Sequence, residues 1–423
     1  MPASSGVRAG ELVELDVDAV AHGGHCVARL EGRVVFVRHT LPGERVLARL
    51  TETGATRSYW RADAVDVLRA SPDRVPSVWL AAGPGGVGGA ELAHVALPAQ
   101  RRWKATVVAE QLRRLAGLEL DVQVEAAPGD DERGGLGWRT RITTVADARG
   151  WAGMHRHRSD EIEAIDEMPL ASEQIAQLEL FDRQWPPGAR IDAVAPVGGD
   201  RPLVLVDGVP WAGTRPDTRP NARTSVREVV AVAAVAGLRS QYRYRVAGAG
   251  FWQVHRQAPA VLVAAVADAL AGTDLAGGTV VDLYSGAGLF TQPLADLVGA
   301  GGRVVAVEGD GQAARDARRG SHGLPQVELH TGDVAEVLAS GAVWQAEAVV
   351  LDPPRVGAGA TAVALVTALR PRVVVYVACD PAALARDVGT FASRGYDLAS
   401  LRAVDLFPHT HHVECVAVLV PSA

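Results

Sequence analysis

The chain of 423 residues has only three cysteines, and aromatic residues make up just 5% of it. Three cysteines, Cys26, Cys379 and Cys415, cannot form a disulfide framework, and an odd, sparse set points to a reducing, cytoplasmic setting. Of the 42 basic residues one is a lysine, Lys104, and the rest are arginine, a skew read as genomic base composition. No apolar run reaches the 18 or so residues of a membrane span. The longest candidates, VVAVAAVAGL after Glu228 and APAVLVAAVADAL before Ala271, are short, and the second carries Asp268. Both are read as buried helices. The opening MPASSGVRAGEL has no apolar stretch, so no secretory leader is expected. The 45 glycines show no three-residue period, which excludes collagen. What remains is 48% hydrophobic and 22% charged, the balance of a core-forming chain, and the length implies two or three domains.

The net charge of −7 is unevenly spread. Residues 261–423 hold 10 arginines against 17 acids, so residues 1–260 balance at zero. Within them, residues 201–260 carry nine arginines against Asp207, Asp217 and Glu228, a local +6. A second basic stretch runs from Arg133 to Arg158 through Arg139, Arg141, Arg149 and Arg156. Basic clusters inside an acidic chain suit a polyanion-binding enzyme, but charge alone slightly favours an ordinary solvated surface, and the net negative charge speaks weakly against nucleic acid.

Residues 1–70 contain GELVELDVDAV, ARLEGRVVFVRHT, ERVLARLTE and YWRADAVDVL, which alternate apolar and polar residues between Gly-containing turns. That pattern predicts about five short antiparallel strands in an OB-like barrel. Residues 71–240 are mixed. A helix is expected in QRRWKATVVAEQLRRLAG, closed by Gly117, and strands around RTRITTVADARG, RIDAVAPVGG and PLVLVDG. The topology of this middle segment does not follow from the pattern. Residues 241–423 alternate strand and helix through TVVDLY, RVVAVEGD, QVELHTGD, AEAVVLDPP and RVVVYVACD. This predicts a parallel, doubly wound sheet with ligands at the carboxyl ends of its strands. The chain is thus expected to be a multidomain α/β protein with an N-terminal barrel, a mixed α+β middle and a C-terminal Rossmann-like domain.

The chemistry-bearing residues fall at those strand ends. The first strand ends in Asp282-Leu-Tyr284-Ser-Gly286-Ala-Gly288-Leu, where glycines allow close backbone approach to a ligand. The second ends in Glu308, placed to grip ribose hydroxyls. A nicotinamide dinucleotide site has the same plan, but its third glycine position is Thr291. S-adenosylmethionine, having no pyrophosphate, needs only the tight turn and the acid. Asp333 ends the third strand and is placed to meet an adenine amine. The fourth ends in Asp352-Pro353-Pro354-Arg355, where two prolines hold the backbone extended and present Asp352. The fifth ends in Cys379-Asp380-Pro381. A cysteine after an apolar strand is ordinarily a small buried hydrophobe. Its place at the strand end, with Pro381 opening a helix, favours a thiolate nucleophile instead. Cys415 lies inside an apolar strand and is read as core. In Asp405-Leu-Phe-Pro-His409-Thr-His411-His412-Val-Glu414 the histidines lack a completing set of ligands, so no metal site is expected. Glu414, a carboxylate at the start of an apolar strand, is a candidate base.

Five motifs, in order, resemble the uracil-5 RNA methyltransferase family, which makes 5-methyluridine in tRNA or 23S rRNA. They are FWQVH (Phe251–His255), DLYSGAG (Asp282–Gly288), LDPPR (Leu351–Arg355), ACDP (Ala378–Pro381) and FPHTHHVE (Phe407–Glu414). The resemblance covers nearly the whole chain and implies three parts. These are a TRAM barrel (1–70), a central RNA-recognition domain (71–240) and an S-adenosylmethionine-dependent methyltransferase domain (241–423). It places Gln253, Tyr284, Glu308 and Asp352 on cofactor-binding positions, beside Gly286, Gly288 and Asp333 from the strand-end reading. It makes Cys379 the nucleophile that adds to uracil C6 and Glu414 the base that removes the C5 proton. The basic stretches, with Trp138, Trp151 and Trp252, would supply phosphate contacts and stacking surfaces. Structured RNA, 23S rRNA or tRNA, is the expected partner, with no membrane and no obligatory protein partner.

The chain departs from the family pattern at several positions. Many members hold an iron–sulfur cluster on four cysteines, and those positions are Ser77, Val87, Ala90 and Met168 here, so no cluster is expected. Leu289 stands for a frequent Asn, Asp380 for the Asn after the nucleophile, and His255 for the Asn of FxQxN. These departures keep a second reading open, a non-catalytic RNA-binding assembly factor that retains the methyltransferase fold. A third is a methyltransferase acting on another acceptor, against which Arg355 in place of a stacking aromatic residue speaks.

Overall fold

Alternation along five strands closes the first unit. Leu12–Ala21, His25–Leu30, Arg33–Arg38, Arg45–Glu52 and Tyr59–Arg69 form a closed barrel in the order first, second, third, fifth, fourth. Leu15, Val17, Ala28, Val35, Val37, Val46, Ala48 and Leu50 point inward and are buried, as period-two patterning requires. The computed structural model describes residues 8–54, 56–233 and 235–422.

The middle of the chain builds a seven-stranded antiparallel sheet. Its strand order is Arg215–Pro216, Val209–Ala212, Leu203–Val206, Arg190–Val194, Arg141–Ala146, Ala152–His155, Ile162–Ala164. Its core gathers Trp79, Trp138, Ile142, Trp185 and Ile191. Val87, Ala90 and Met168 belong to that same apolar cluster, while the Ser77 hydroxyl donates to the Trp79 carbonyl at 3.1 Å. Four thiolates are what a cluster needs; three of these side chains are apolar and packed together.

The C-terminal unit is an eight-stranded sheet. Its order is Val327–Thr331, Arg303–Glu308, Thr279–Leu283, Ala348–Leu351, Val373–Ala378, Glu414–Pro421, Tyr396–Asp405, Val124–Ala126. The first five run parallel, and Glu414–Pro421 pairs antiparallel to Val373–Ala378. Both faces are covered. Helices Ala258–Leu270 and Thr291–Val298 pack on one side. Helices Val334–Ala339, Gly359–Ala368 and Pro381–Ala392 pack on the other. Strands buried on both faces read as continuous Val-rich runs, which is why they were legible.

Three expectations need correction. VVAVAAVAGL is not a helix: Ser225–Ala231 is a strand paired in register with Gln241–Ala247, Val226 facing Val246 and Val230 facing Tyr242. Its valines are β-branched, and buried Val226, Glu228 and Val230 alternate with exposed Arg227 and Ala231, which suits a half-buried ribbon better than a helix. The boundary at 240/241 therefore cuts a hairpin, whose Val230, Tyr242, Tyr244 and Val246 lie in the core of the C-terminal sheet. Nor do residues 97–126 pack only with the middle segment. Strand Val124–Ala126 adds to the edge of the C-terminal sheet beside Ala403–Asp405. Helix Leu97–Gln111 runs into a wider π-type turn, Leu112–Ala116, ended by Gly117 at φ +69. That turn lies on helix Pro381–Ala392, where a Cβ on Gly389 would stand 3.2 Å from the Leu115 carbonyl.

Candidate active site at the carboxyl ends of the strands

Parallel register places the acids. Leu283 is aligned with both Val307 and Leu351, and Leu351 with Tyr376. Tyr284, Glu308, Asp352 and Cys379 thus emerge along one edge of the sheet. On the antiparallel side Ala378 faces Cys415, so one step further sets Cys379 against Glu414. Cys379 and Asp352 are partly buried, and Glu414 is 3% exposed. Gln253, from the segment after the hairpin, reaches in from the side, its amide 3.5 Å from Asp352 Oδ2.

The glycine loop is tied to the second strand. Glu308 accepts from the Gly286 N–H at 2.7 Å and from the Asp310 N–H at 2.6 Å. Each carboxylate oxygen keeps acceptor capacity for a ribose hydroxyl. Gly286 and Gly288 have φ +57 and +88, and the space a Gly286 Cβ would take is open for 4 Å. Tyr284, at φ +59, is partly buried, and burial pushes its phenol up to about 12, with Asp333 and then Asp387 adding to the shift. Asp333 itself is exposed and caps helix Val334–Ala339 through the Glu336 N–H at 3.1 Å. Asp282 is buried beneath the loop, taking the Thr291 hydroxyl on Oδ2 at 2.6 Å. Asp282 Oδ1 and Ser285 Oγ are buried and have no partner among the described residues. An open polar cradle with unpartnered buried oxygens, and an acid with acceptor capacity to spare, fits S-adenosylmethionine. Leu289, at the Asn position, is buried in the core and uses its carbonyl for the Tyr244 hydroxyl at 2.9 Å.

Electrostatics around the thiol correct one expectation. Asp380 does cap helix Pro381–Ala392, accepting from Ala383 N–H at 2.8 Å. Yet the Cys379 thiol is pushed up to about 12, first by burial, then by Glu414 and Asp352, with Asp380 adding and only Arg355 opposing. Burial and three carboxyl groups outweigh the helix N-terminus. Burial raises Asp352 to about 7 and, with Asp352 beside it, lifts Glu414 well above the usual carboxylate range.

The histidines of FPHTHHVE serve the protein frame. His409 is buried at φ +67, its Nε2 bonded to the Gly134 carbonyl at 2.9 Å and its Nδ1 to the Gln100 amide at 3.1 Å. His411 pairs with Glu91 at 3.2 Å. His412 lies tilted against His411, centroids 4.1 Å apart, and meets Arg355 Nη2 at 3.3 Å. Burial, then His411 and Arg355, lowers His412 to about 3, so it is a neutral acceptor for that arginine. His255, at the Asn position of FxQxN, bonds Asp130 at 2.9 Å and stacks on Trp138. Trp138 and Trp252 are 1% and 4% exposed, so they are core residues rather than stacking surfaces; Trp151 is partly buried.

Other supports carried no local sequence signal. Lys104, read as a compositional remnant, is fully buried, its Nζ 2.6 Å from Asp405 Oδ1 and 3.0 Å from the Phe407 carbonyl. Gln100 and Lys104 sit four residues apart on one helix and together hold the loop that delivers Glu414. His22, from the barrel, reaches Asp380 at 3.2 Å.

Comparison with known proteins accords with this geometry. Residues 6–65 match the TRAM domain model, and residues 340–421 match the tRNA (Uracil-5-)-methyltransferase model. An uncharacterized RNA methyltransferase of Streptomyces avermitilis is 44% identical, covering 98% of this chain and 99% of that one. The 23S rRNA (uracil(1939)-C(5))-methyltransferase of Hahella chejuensis is 30% identical, covering 96% and 97%. The fold is shared with Pyrococcus abyssi tRNA (uracil-54, C5)-methyltransferase in complex with S-adenosyl-L-homocysteine, at TM-score 0.67 and 23% identity over 96% of this chain and all of that one. With identity of this degree along nearly its whole length, the chain belongs to the S-adenosylmethionine-dependent uracil-5 RNA methyltransferase family.

Proposed function

We propose that the chain methylates C5 of a uridine in structured RNA, 23S rRNA or tRNA, through a covalent bond between Cys379 and uracil C6, with Glu414 as base. The observation that carries this reading is the register that sets Cys379 against Glu414 beside Asp352. Uracil C5 is a weak nucleophile. Addition of the Cys379 thiolate to C6 breaks the C5=C6 double bond and moves an electron pair toward O4, leaving C5 electron-rich. S-adenosylmethionine, when bound on Gln253, Tyr284, Gly286, Gly288, Glu308, Asp333 and Asp352, supplies the methyl group. Glu414 then takes the C5 proton; the C–H pair restores C5=C6 and the thiolate leaves.

The buried carboxyls order these events. Cys379, Glu414 and Asp352 share one poorly solvated corner, so few of the three carry negative charge at once. A neutral Glu414 favours the thiolate. Once the sulfur is bonded to carbon its charge is gone, and Glu414 ionises more readily for its turn as base.

The RNA is expected along the basic ribbon. Arg227, Arg243 and Arg245 share the exposed side of the Ser225–Ala231/Gln241–Ala247 hairpin, while Tyr242, Tyr244 and Val246 face the core. The local +6 is partly neutralised: Arg219 pairs with Asp217, Arg223 and Arg227 with Asp200, Arg239 with Asp296, and Arg256 with Asp130. A uridine inside a stem must leave its stack to reach Cys379. A cytoplasmic location follows from this RNA substrate; no helix among the described residues is long and apolar enough to cross a membrane.

The test is mass spectrometry of cellular RNA from a deletion strain, incubated with the protein and labelled cofactor. Label is expected on uridine C5 alone, with Cys379→Ala slower by at least ~10³-fold. Label elsewhere, or full activity in Cys379→Ala, overturns the reading. No incorporation in a single turnover would favour the assembly-factor reading instead.

A further inference from the structure

We propose that His22 of the barrel is a positioning residue for the nucleophile: by holding Asp380 it partners the carboxylate next to Cys379 and eases formation of the thiolate. The inference rests on Cys379 as the nucleophile. His22 lies in the turn between strands Leu12–Ala21 and His25–Leu30, far in sequence from the site it touches. Its Nε2 stands 3.2 Å from Asp380 Oδ2, with side chains 37% and 24% exposed. The other oxygen, Oδ1, is taken by the Ala383 N–H. One carboxylate therefore joins the helix that follows the nucleophile to a different domain.

The meeting of the two side chains is not a chance graze of a mobile tip. Two residues on, Gly24 is wedged so closely that an added Cβ would stand 3.1 Å from Glu91 Cβ and 3.2 Å from His411 Cβ. Glu91 and His411 themselves meet, Oε2 to Nδ1, at 3.2 Å. The turn is thus keyed into the same cluster that carries His412 and Arg355.

Charge gives the pairing its consequence. Glu414 faces Cys379 from the last strand, Asp352 and Arg355 from the Pro-Pro turn, and Asp380 from its own helix cap. Three carboxyls stand against one guanidinium. Glu414 and Asp352 can escape repulsion by taking up protons, since burial favours their neutral forms. Asp380 cannot: burial alone would raise it, but the His22 bond and the Ala383 N–H hold it below the usual carboxylate range. Its negative charge is permanent at neutral pH, and His22 is the group that answers it. A protonated imidazole cancels the charge; a neutral one still donates Nε2–H and draws the charge toward the barrel. Because the pair is part-exposed, solvent screens it and the effect on the thiol is modest.

The test is the pH dependence of alkylation by iodoacetamide, followed at the peptide bearing Cys379 in the full chain. Cys26 and Cys415 are buried and report any opening of the fold by becoming labelled. His22→Ala is expected to slow Cys379 labelling about threefold at pH 7.5, half a unit of thiol ionisation, with Cys26 and Cys415 still protected. In an Asp380→Asn background the same substitution is expected to change nothing, a result a merely structural role would not give. An unchanged rate in His22→Ala, or an equal loss in both backgrounds, overturns the proposal. No RNA is used, so failure here is distinct from failure of Cys379 as nucleophile, which shows as loss of covalent trapping by substrate RNA.

Discussion

Asp282 and Asp352 show at the residue scale how far the fold works against its own charges. Each is raised to about 7 with burial as the leading cause. In the unfolded chain the same groups ionise near ~3.9. Between those limits the folded state binds more protons, so their contribution to stability is full below about pH 4 and is lost as pH rises through 7. These two groups therefore pull the melting temperature of the ligand-free chain down from pH 5 to pH 8, while partly buried His412, held neutral, pulls it up over the acid part of that range. Asp282→Asn, which keeps an oxygen for Thr291, should raise the pH 8 melting temperature relative to that at pH 5, compared with the unaltered chain, in calorimetry; an unchanged difference would contradict the assignment. The same reasoning makes turnover rise with pH through the neutral range, because Cys379 is protonated there. Glu414→Gln removes a carboxyl that opposes the thiolate, yet it also removes the proposed base. It should stop product release and accumulate the RNA adduct, visible as a shifted band on a denaturing gel. Cys379 and Glu414 were legible because each breaks the pattern of an apolar strand end. The cost of ionising the thiol was not, because it comes from carboxyls brought together by tertiary register.

At the scale of elements, helix Leu97–Gln111 acts as a clamp on the loop from Asp405 to Glu414. Gln100 bonds the carbonyls of Leu92 and Val95 and both donates to and accepts from His409, while Lys104 holds Asp405 and the Phe407 carbonyl. Replacing Lys104 by Met leaves a buried carboxylate without its cation, an expected loss of ~3–5 kcal/mol in urea unfolding. The double change Lys104→Met/Asp405→Leu should recover most of it, since a well-packed apolar pair lacks the desolvation cost. A lysine among arginines looks compositional along the sequence. In space its compact ammonium meets a carboxylate and a carbonyl in a fully buried site. The helix itself was legible from its period and Gly117, and so were the buried parallel strands. VVAVAAVAGL was misread because a short apolar run does not distinguish buried helix from ribbon; the pairing with Gln241–Ala247 decided it.

Across the whole molecule, the three composition-based segments are more entangled than linear boundaries suggest. Strand Val124–Ala126 and the hairpin at 225–247 both pack with the C-terminal sheet, and the barrel reaches Asp380, next to Cys379, through His22. Such long-range joins leave no local mark, whereas barrel and doubly wound sheet each have their own period. On the proposed reading, the hairpin's basic side makes RNA affinity salt-dependent. Changing Arg243 and Arg245 to alanine should reduce the slope of log K against log salt by ~0.7–0.9 for each phosphate that an arginine no longer neutralises, in a titration by fluorescence anisotropy; an unchanged slope would place the RNA elsewhere. The central question is whether sulfur bonds to the base. It is answered most directly by incubating the protein and S-adenosylmethionine with substrate RNA carrying 5-fluorouridine, whose C5 fluorine Glu414 cannot remove as a proton. The expected product is a stable protein–RNA conjugate whose crosslinked peptide contains Cys379 and which Cys379→Ala does not form. A conjugate through another residue, or methylated RNA released with no conjugate at all, would contradict it.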